Sequence, residues 1–175
     1  MLIGVISDTH NDVETIRKAV NLFNLRGCDM VLHCGDIFSP SAAQEFSKLQ
    51  CGFKAVFGNN DFDRAGLENV ISDFGIIRPA PFEFKISNKL FVMSHKLENI
   101  YLSANEKKYD YILYGHLHKP RIEKRNYVPD NAQGNAQSKT LLLNPGEACG
   151  YRYGAKTAAL IDLILDSAEI VDLDF

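Results

Sequence analysis

The chain has 175 residues, 46% of them hydrophobic and 23% charged, with a formal net charge of −3. That length fits one domain and is short for two, and the composition is ordinary for a soluble globular protein. No global basicity points to nucleic acid or an anionic membrane surface, and no apolar stretch approaches the ~20 residues a transmembrane helix needs.

Leu2–Ser7 reads as a buried strand and Val13–Phe23 as an amphipathic helix, with Val13, Ile16, Ala19, Val20 and Phe23 on one stripe. Asn11 followed by Glu14 resembles a capping box at the start of that helix. Met30–Cys34 is a second strand, Ser41–Leu49 a helix and Phe53–Phe57 a third strand. Near-continuous apolar runs alternating with helices indicate parallel strands covered on both faces. In such sheets ligands bind outside the carboxyl ends of the strands.

After residue 65 the pattern changes. Leu67–Phe74 is expected to be helical, and Phe82–Ile86 with Leu90–Ser94 reads as a hairpin turning at Ser87-Asn88-Lys89. Glu98–Lys107 suggests another helix and Tyr111–Tyr114 another strand. The tail holds strands near Arg121–Arg125, Thr140–Leu143, Thr157–Leu165 and Glu169–Asp174. The polar stretch 126–139, rich in Asn, Gln and Gly, reads as a surface loop inserted between two strands. A mixed sheet, and more specifically two stacked sheets with helices outside, accommodates this order within a single domain spanning 1–175.

The N-terminus lacks a basic region followed by a long apolar segment, so no signal peptide is expected. Cys28, Cys34, Cys51 and Cys149 form no CxxC pair and no small disulfide framework. Buried, reduced thiols in a cytoplasmic protein are the expectation.

Seven side chains that can bind metal sit where strand-like runs end: Asp8, His10, Asp36, Asn59, His95, His116 and His118. Taken singly, most have a plainer reading. Asp8-Thr9-His10 can simply cap a helix, and Gly35-Asp36 and Gly58-Asn59-Asn60-Asp61 can be turns. Gly115-His116-Leu117-His118 is the strongest local signal, because two histidines beside a glycine, with a third at His95, are hard to explain as core residues. The count exceeds what one ion needs and suits two ions sharing a carboxylate, which implies hydrolysis at phosphorus or a carbonyl. Imidazole and carboxylate donors without thiolates suit Mn²⁺, Zn²⁺, Fe, Co²⁺ or Ni²⁺. The fifth histidine, His33, lies inside a strand and reads as packing or as support for a ligand.

In order along the chain, Asp8-Thr9-His10, Gly35-Asp36, Gly58-Asn59-Asn60-Asp61, Ser94-His95 and Gly115-His116-Leu117-His118 resemble the blocks of calcineurin-like metallophosphoesterases. Asn144-Pro145-Gly146-Glu147 resembles the asparagine-proline-glycine block of the small bacterial and archaeal phosphodiesterase branch. The resemblance implies a four-layer αββα sandwich with two mixed β-sheets. It also implies a metal-dependent phosphodiesterase that attacks small phosphodiester substrates with a metal-bridging hydroxide. One metal would be held by Asp8, His10, Asp36 and His118, and the other by Asp36, Asn59, His95 and His116, with Asp36 bridging. Two divalent ions are implied, Mn²⁺ first, with Ni²⁺, Co²⁺, Zn²⁺, Fe or Mg²⁺ as alternatives.

Two departures matter. Many relatives carry histidine where Asn60 stands, a residue thought to protonate the leaving group or hold phosphate. Asn60 can donate hydrogen bonds but transfers no proton at neutral pH, so substrates with good leaving groups, or proton delivery by water, are expected. Lys96 stands where many relatives place glycine, either assisting phosphate binding or pointing into solvent. The rivals are a phosphomonoesterase and a catalytically weak binding scaffold, since a eukaryotic trafficking-complex subunit resembles the same branch. The intact set of metal donors favours an enzyme. Nuclease activity has little support from a net charge of −3, and a homo-oligomer is left open because relatives often assemble.

Overall fold

The computed structural model describes residues 1–103, 109–127 and 138–175. The first half alternates strands and helices: β1 (Leu2–Ile6), α1 (Val13–Leu25), β2 (Met30–His33) and α2 (Pro40–Ala43), which runs into a 3₁₀ turn at Gln44–Lys48, then β3 (Gly52–Val56), α3 (Arg64–Ile71) and β4 (Gly75–Arg78). The second half holds β5 (Phe82–Ile86), β6 (Lys89–Ser94), α4 (Leu97–Ser103), β7 (Tyr111–Tyr114), β8 (Arg121–Tyr127), β9 (Ser138–Asn144), β10 (Thr157–Asp162) and β11 (Ser167–Asp172).

These strands form two mixed sheets. The first has the order β11-β10-β1-β2-β3-β4, and the second β5-β6-β7-β9-β8. In the first, β1 to β4 are parallel, β10 pairs antiparallel with β1, and β11 pairs antiparallel with β10. In the second, β6, β7 and β9 are parallel and β5 and β8 close the edges antiparallel. Every parallel strand therefore delivers its carboxyl end to a rim where loops, not ladder bonds, decide what the side chains face.

Strand alternation sorts the core into layers. Ile3, Val5, Leu32 and Val56 of the first sheet pack with Phe91, Met93, Leu113, Leu141 and Leu143 of the second, all buried between the sheets. The opposite face of the first sheet packs Val31 and Ala55 against Ile16, Ala19 and Phe23 of α1, Leu67 and Ile71 of α3, and Phe46. A smaller cluster of Val92, Ile100 and Tyr109 joins α4 to the outer face of the second sheet. The result is the αββα sandwich expected from the sequence, with an apolar interior between the sheets worth roughly 25 cal/mol per Å² of apolar surface removed from water.

Several local expectations differ. The cap of α1 is Asp12, whose carboxylate accepts the Thr15 N–H, not Asn11. Asn11 has φ +62° and accepts the Ser39 hydroxyl instead, so its side chain bridges two loops and leaves the capping box unformed. The expected helix at 67–74 starts earlier and ends at Ile71, because Gly75–Arg78 pairs in register with β3 as an edge strand. The expected helix at 41–49 splits into α2 and the 3₁₀ turn. β10 stops at Asp162, where its carboxylate accepts the Ile164 and Leu165 N–H groups of a tight turn and ends the strand expected to reach 165. Of the stretch read as a 126–139 loop, residues 126–127 and 138–139 instead extend β8 and β9. Residues 128–137 lie outside the described residues, as do 104–108 at the end of the helix expected to reach Lys107. The cysteines are free thiols, with Cys28, Cys34 and Cys149 buried and Cys51 half-buried.

Candidate metal centre

The loops after β1, β2, β3, β6 and β7 meet at one rim. The β1 and β2 loops are joined by backbone hydrogen bonds, from the Asp8 N–H to the Gly35 carbonyl and from the Thr9 and His10 N–H groups to the Asp36 carbonyl. The price of this geometry is backbone strain: Asp8, His10, Asp36, His116 and His118 all have φ between +41° and +63°. Left-handed φ is uncommon for non-glycine residues and is held only where surrounding contacts over-determine it. Five of the seven candidate ligands share it, which singles out this rim.

Two glycines allow the loops to approach the carboxylates. A Cβ on Gly58 would lie 2.0 Å from Asp36 Oδ1, and one on Gly115 would lie 2.0 Å from Ser7 Oγ and 2.8 Å from Asp8 Oδ2. No residue with a side chain fits either place without moving an acidic group.

The side chains converge accordingly. His10 Nε2 lies 3.5 Å from Asp36 Oδ2 and 3.8 Å from Asp8 Oδ1. His118 Nε2 lies 3.3 Å from Asp8 Oδ1, and its ring stacks on that of His10 with centroids 5.3 Å apart. His95 Nε2 is 3.3 Å from the same Asp36 Oδ2 and 3.1 Å from Asn59 Oδ1. The His116 ring meets His95 edge-on at 5.1 Å, and its backbone N–H donates to Asp8 Oδ2. The structure thus gathers all seven residues singled out by the sequence. Asn60 joins them, donating its backbone N–H to Asp36 Oδ1 and its side-chain amide to Asp36 Oδ2.

Electrostatics fit this arrangement. Burial opposes ionisation of Asp36, but hydrogen bonds from His95 and Asn60 outweigh it and hold the carboxyl well below the usual range. The His10 pKa is raised by the adjacent Asp8 carboxylate, against burial, with Asp36 adding to it. Burial lowers the His95 pKa, yet the Asp36 carboxylate reverses the sign and raises it. At His116 burial dominates and lowers the pKa, assisted by the charges of His95 and Lys96.

Residues behind the rim hold it in shape, and two of them, Asp61 and Glu147, were given no role from the sequence. Asp61 is buried and accepts three backbone N–H groups, from Asp36, Phe38 and Gly58. Burial still raises its pKa. Glu147 is fully buried: His118 Nδ1 lies 2.7 Å from its carboxylate, which also accepts the Arg152 and Tyr153 N–H groups. Burial opposes ionisation of Glu147, but the His118 contact and those N–H groups lower its pKa. Cys149, whose thiol burial pushes up to about 12, lies against the same carboxylate as a neutral donor. His33 is buried within β2, as its place in the strand suggested. Its Nδ1 accepts the Gly35 N–H and its Nε2 contacts Thr9 Oγ1, which bonds the Asp36 carbonyl. Only a neutral imidazole protonated at Nε2 satisfies both contacts.

A mixed sheet pair with five loops carrying carboxylate, imidazole and amide donors to one rim defines a metallophosphoesterase, and residues 1–164 match the calcineurin-like phosphoesterase superfamily domain. The chain belongs to that family and is a phosphoric ester hydrolase. It is 33% identical over 171 residues to phosphodiesterase MJ0936 of Methanocaldococcus jannaschii, covering 93% of each chain. It resembles a solved archaeal phosphodiesterase with a TM-score of 0.84, at 30% identity, over 98% of this chain and 99% of the other. A structure of Vps29 from Entamoeba histolytica shares the fold, with a TM-score of 0.65 at 18% identity over 98% and 99% of the two chains.

Family membership implies divalent metal ions, and the donors fit them. Among the described residues Asp8 Oδ1 and His10 Nε2 are buried without a hydrogen-bond partner, a state costly in an apolar interior and relieved by a cation. The His10–Asp8 and His10–Asp36 separations are long or poorly matched for hydrogen bonds. They approach the ~3–3.5 Å between two donors that each bind one ion at about 2.0–2.2 Å. Donor atoms of Asp8, Asp36 and His95 lie within 4.8 Å of one another.

Proposed function

We propose that the protein is a phosphodiesterase acting through a dinuclear centre, with Asp8, His10, Asp36 and His118 holding one divalent ion and Asp36, Asn59, His95 and His116 the other. The observation that carries this reading is the position of Asp36 Oδ2, 3.5 Å from His10 Nε2 and 3.3 Å from His95 Nε2. One carboxylate thus faces both groups of donors. The family resemblance puts Mn²⁺ first, and the oxygen and imidazole donors are equally compatible with Zn²⁺, Fe, Co²⁺, Ni²⁺ or Mg²⁺. Bound there, such ions supply Lewis-acid polarisation of the phosphoryl group and activation of water.

The chain's own residues supply orientation. Asn60 holds Asp36 with one amide N–H and keeps a second to offer a phosphoryl oxygen. It delivers no proton to a leaving group, so diesters with good leaving groups are preferred. His33, Asp61 and Glu147 fix the loops before substrate arrives, so little reorganisation is left for the chemical step. The named phosphodiesterase relative supports diesters over monoesters as substrates.

A binding-scaffold role needs no complete donor set, whereas all seven candidate donors are present here and two of them, Asp8 and His10, each bury a polar atom without a partner among the described residues. Exhaustive chelation and dialysis should abolish hydrolysis of bis(p-nitrophenyl) phosphate, and Mn²⁺ should restore it. Full activity in excess chelator excludes the proposal, and restored activity confined to monoesters excludes the diester assignment.

A further inference from the structure

Beside the centre lies a second feature that the ligand set does not explain. A cavity of about 210 Å³ opens against Asn59 and His95, and Arg64 and Lys96 contribute its charged walls. Among the described residues no carboxylate lines it. Among the described residues neither cation forms an ion pair. Elsewhere in the protein, by contrast, Arg17, Arg78 and Lys156 each pair with an acid.

The two cations reach the cavity from different elements. Arg64 opens α3 just after the loop carrying Asn59 and Asn60, and its guanidinium lies 5.2 Å from the centroid of the Phe57 ring. That stacking gives an exposed side chain a preferred direction. Lys96 follows His95 directly and is half-buried, with its backbone carbonyl tied to the Ser94 hydroxyl. Its charge is felt at His116. Two unpaired cations on separate elements, sharing a cavity with two candidate ligands, make a site for an anion next to the phosphoryl group being cleaved.

We propose that Arg64 and Lys96 form a subsite for a second phosphate of the substrate, so that the preferred diester carries an additional phosphate near the scissile one. This inference rests on the phosphodiesterase reading above. Arg64 supplies the planar fork that binds phosphate through two N–H groups, and Lys96 adds a point charge. The cavity is open to solvent, which screens both, so the effect is about tenfold and falls as salt rises.

The test compares two substrates with the same leaving group: the p-nitrophenyl ester of thymidine 5′-phosphate and the same ester bearing a 3′-phosphate. The Mn²⁺-loaded protein should show kcat/KM about tenfold higher for the second. The ratio should fall toward one in the Arg64→Gln/Lys96→Gln double variant, and Arg64→Lys should keep part of it. Calorimetric binding of thymidine 3′,5′-bisphosphate against thymidine 5′-monophosphate gives a readout that needs no turnover, and circular dichroism verifies that the variants fold. A ratio near one in the unaltered protein, or a ratio the double variant keeps, overturns the subsite. Preferential bisphosphate binding lost in the double variant, with no hydrolysis of either ester, keeps the subsite and removes the phosphodiesterase reading.

Discussion

Replacing Glu147 by glutamine asks how far His118, a proposed metal ligand, depends on the group behind it. The glutamate lies 2.7 Å from His118 Nδ1 and accepts the Arg152 and Tyr153 N–H groups. All the protons around its two oxygens therefore come from donors. A glutamine keeps the shape but presents an NH₂ to at least one of them, so one buried donor faces another. Losing a charge-assisted hydrogen bond costs about 1.5–3 kcal/mol. Groups that orient a ligating histidine in this way typically matter 10–100-fold in metal affinity, which is about 1.4–2.7 kcal/mol and agrees with the first figure. Calorimetric titration of the metal-free variant with Mn²⁺ should show that weakening, and urea unfolding should show lower stability without metal. Nitrogen-15 shifts of His118 should report loss of the tautomer protonated at Nδ1. Unaltered metal affinity with an unaltered tautomer would refute the reasoning.

Three further outcomes follow from the same geometry. Asn60→His should raise the rate on diesters with poor leaving groups relative to p-nitrophenyl esters, and an unchanged rate on every substrate places residue 60 out of reach of the transition state. His33 has a folded pKa pushed down to about 3 by burial, against an ordinary 6.5. The unfolded chain therefore binds the extra proton first as pH falls. The stability His33 contributes is full above 6.5 and is lost toward 3 by up to about 1.4 kcal/mol per pH unit. Urea midpoints of the metal-free protein between about pH 4.5 and 7.5 should show a steeper slope for the unaltered chain than for His33→Gln. Gly115→Ala puts a methyl group 2.0 Å from Ser7 Oγ and 2.8 Å from Asp8 Oδ2, so thermal unfolding and Mn²⁺ titration should show loss of both stability and metal binding. Intact metal binding would mean that the rim yields more readily than its packing implies.

The seven proposed donors were legible because each follows an apolar run, and parallel strands align their carboxyl ends. Sequence order alone therefore projected Asp8, Asp36, Asn59, His95 and His116 onto one rim. What stayed hidden are the contacts that cross the chain. Nothing local in Glu147 announces a partner 29 residues away at His118, nor in Asp61 that it ties down Asp36 25 residues earlier. Asn11 and Asp12 are both competent caps, and only the Ser39 contact draws Asn11 away. β4 is four residues long and follows a helix without a turn dipeptide, so its pairing with β3 decides what its sequence leaves open. Arg64 looks like an ordinary first-turn residue until the fold brings it to the cavity that Lys96 also lines.

The central claim is that Asp36 is shared between two ions, and metal stoichiometry tests it most directly. Titration of the chelated protein followed by elemental analysis should find two divalent ions per chain, and Asp36→Ala should lose both while Asn59→Ala keeps one. A single ion in the unaltered chain, or an Asp36→Ala variant that retains one ion at full affinity, would contradict the shared carboxylate.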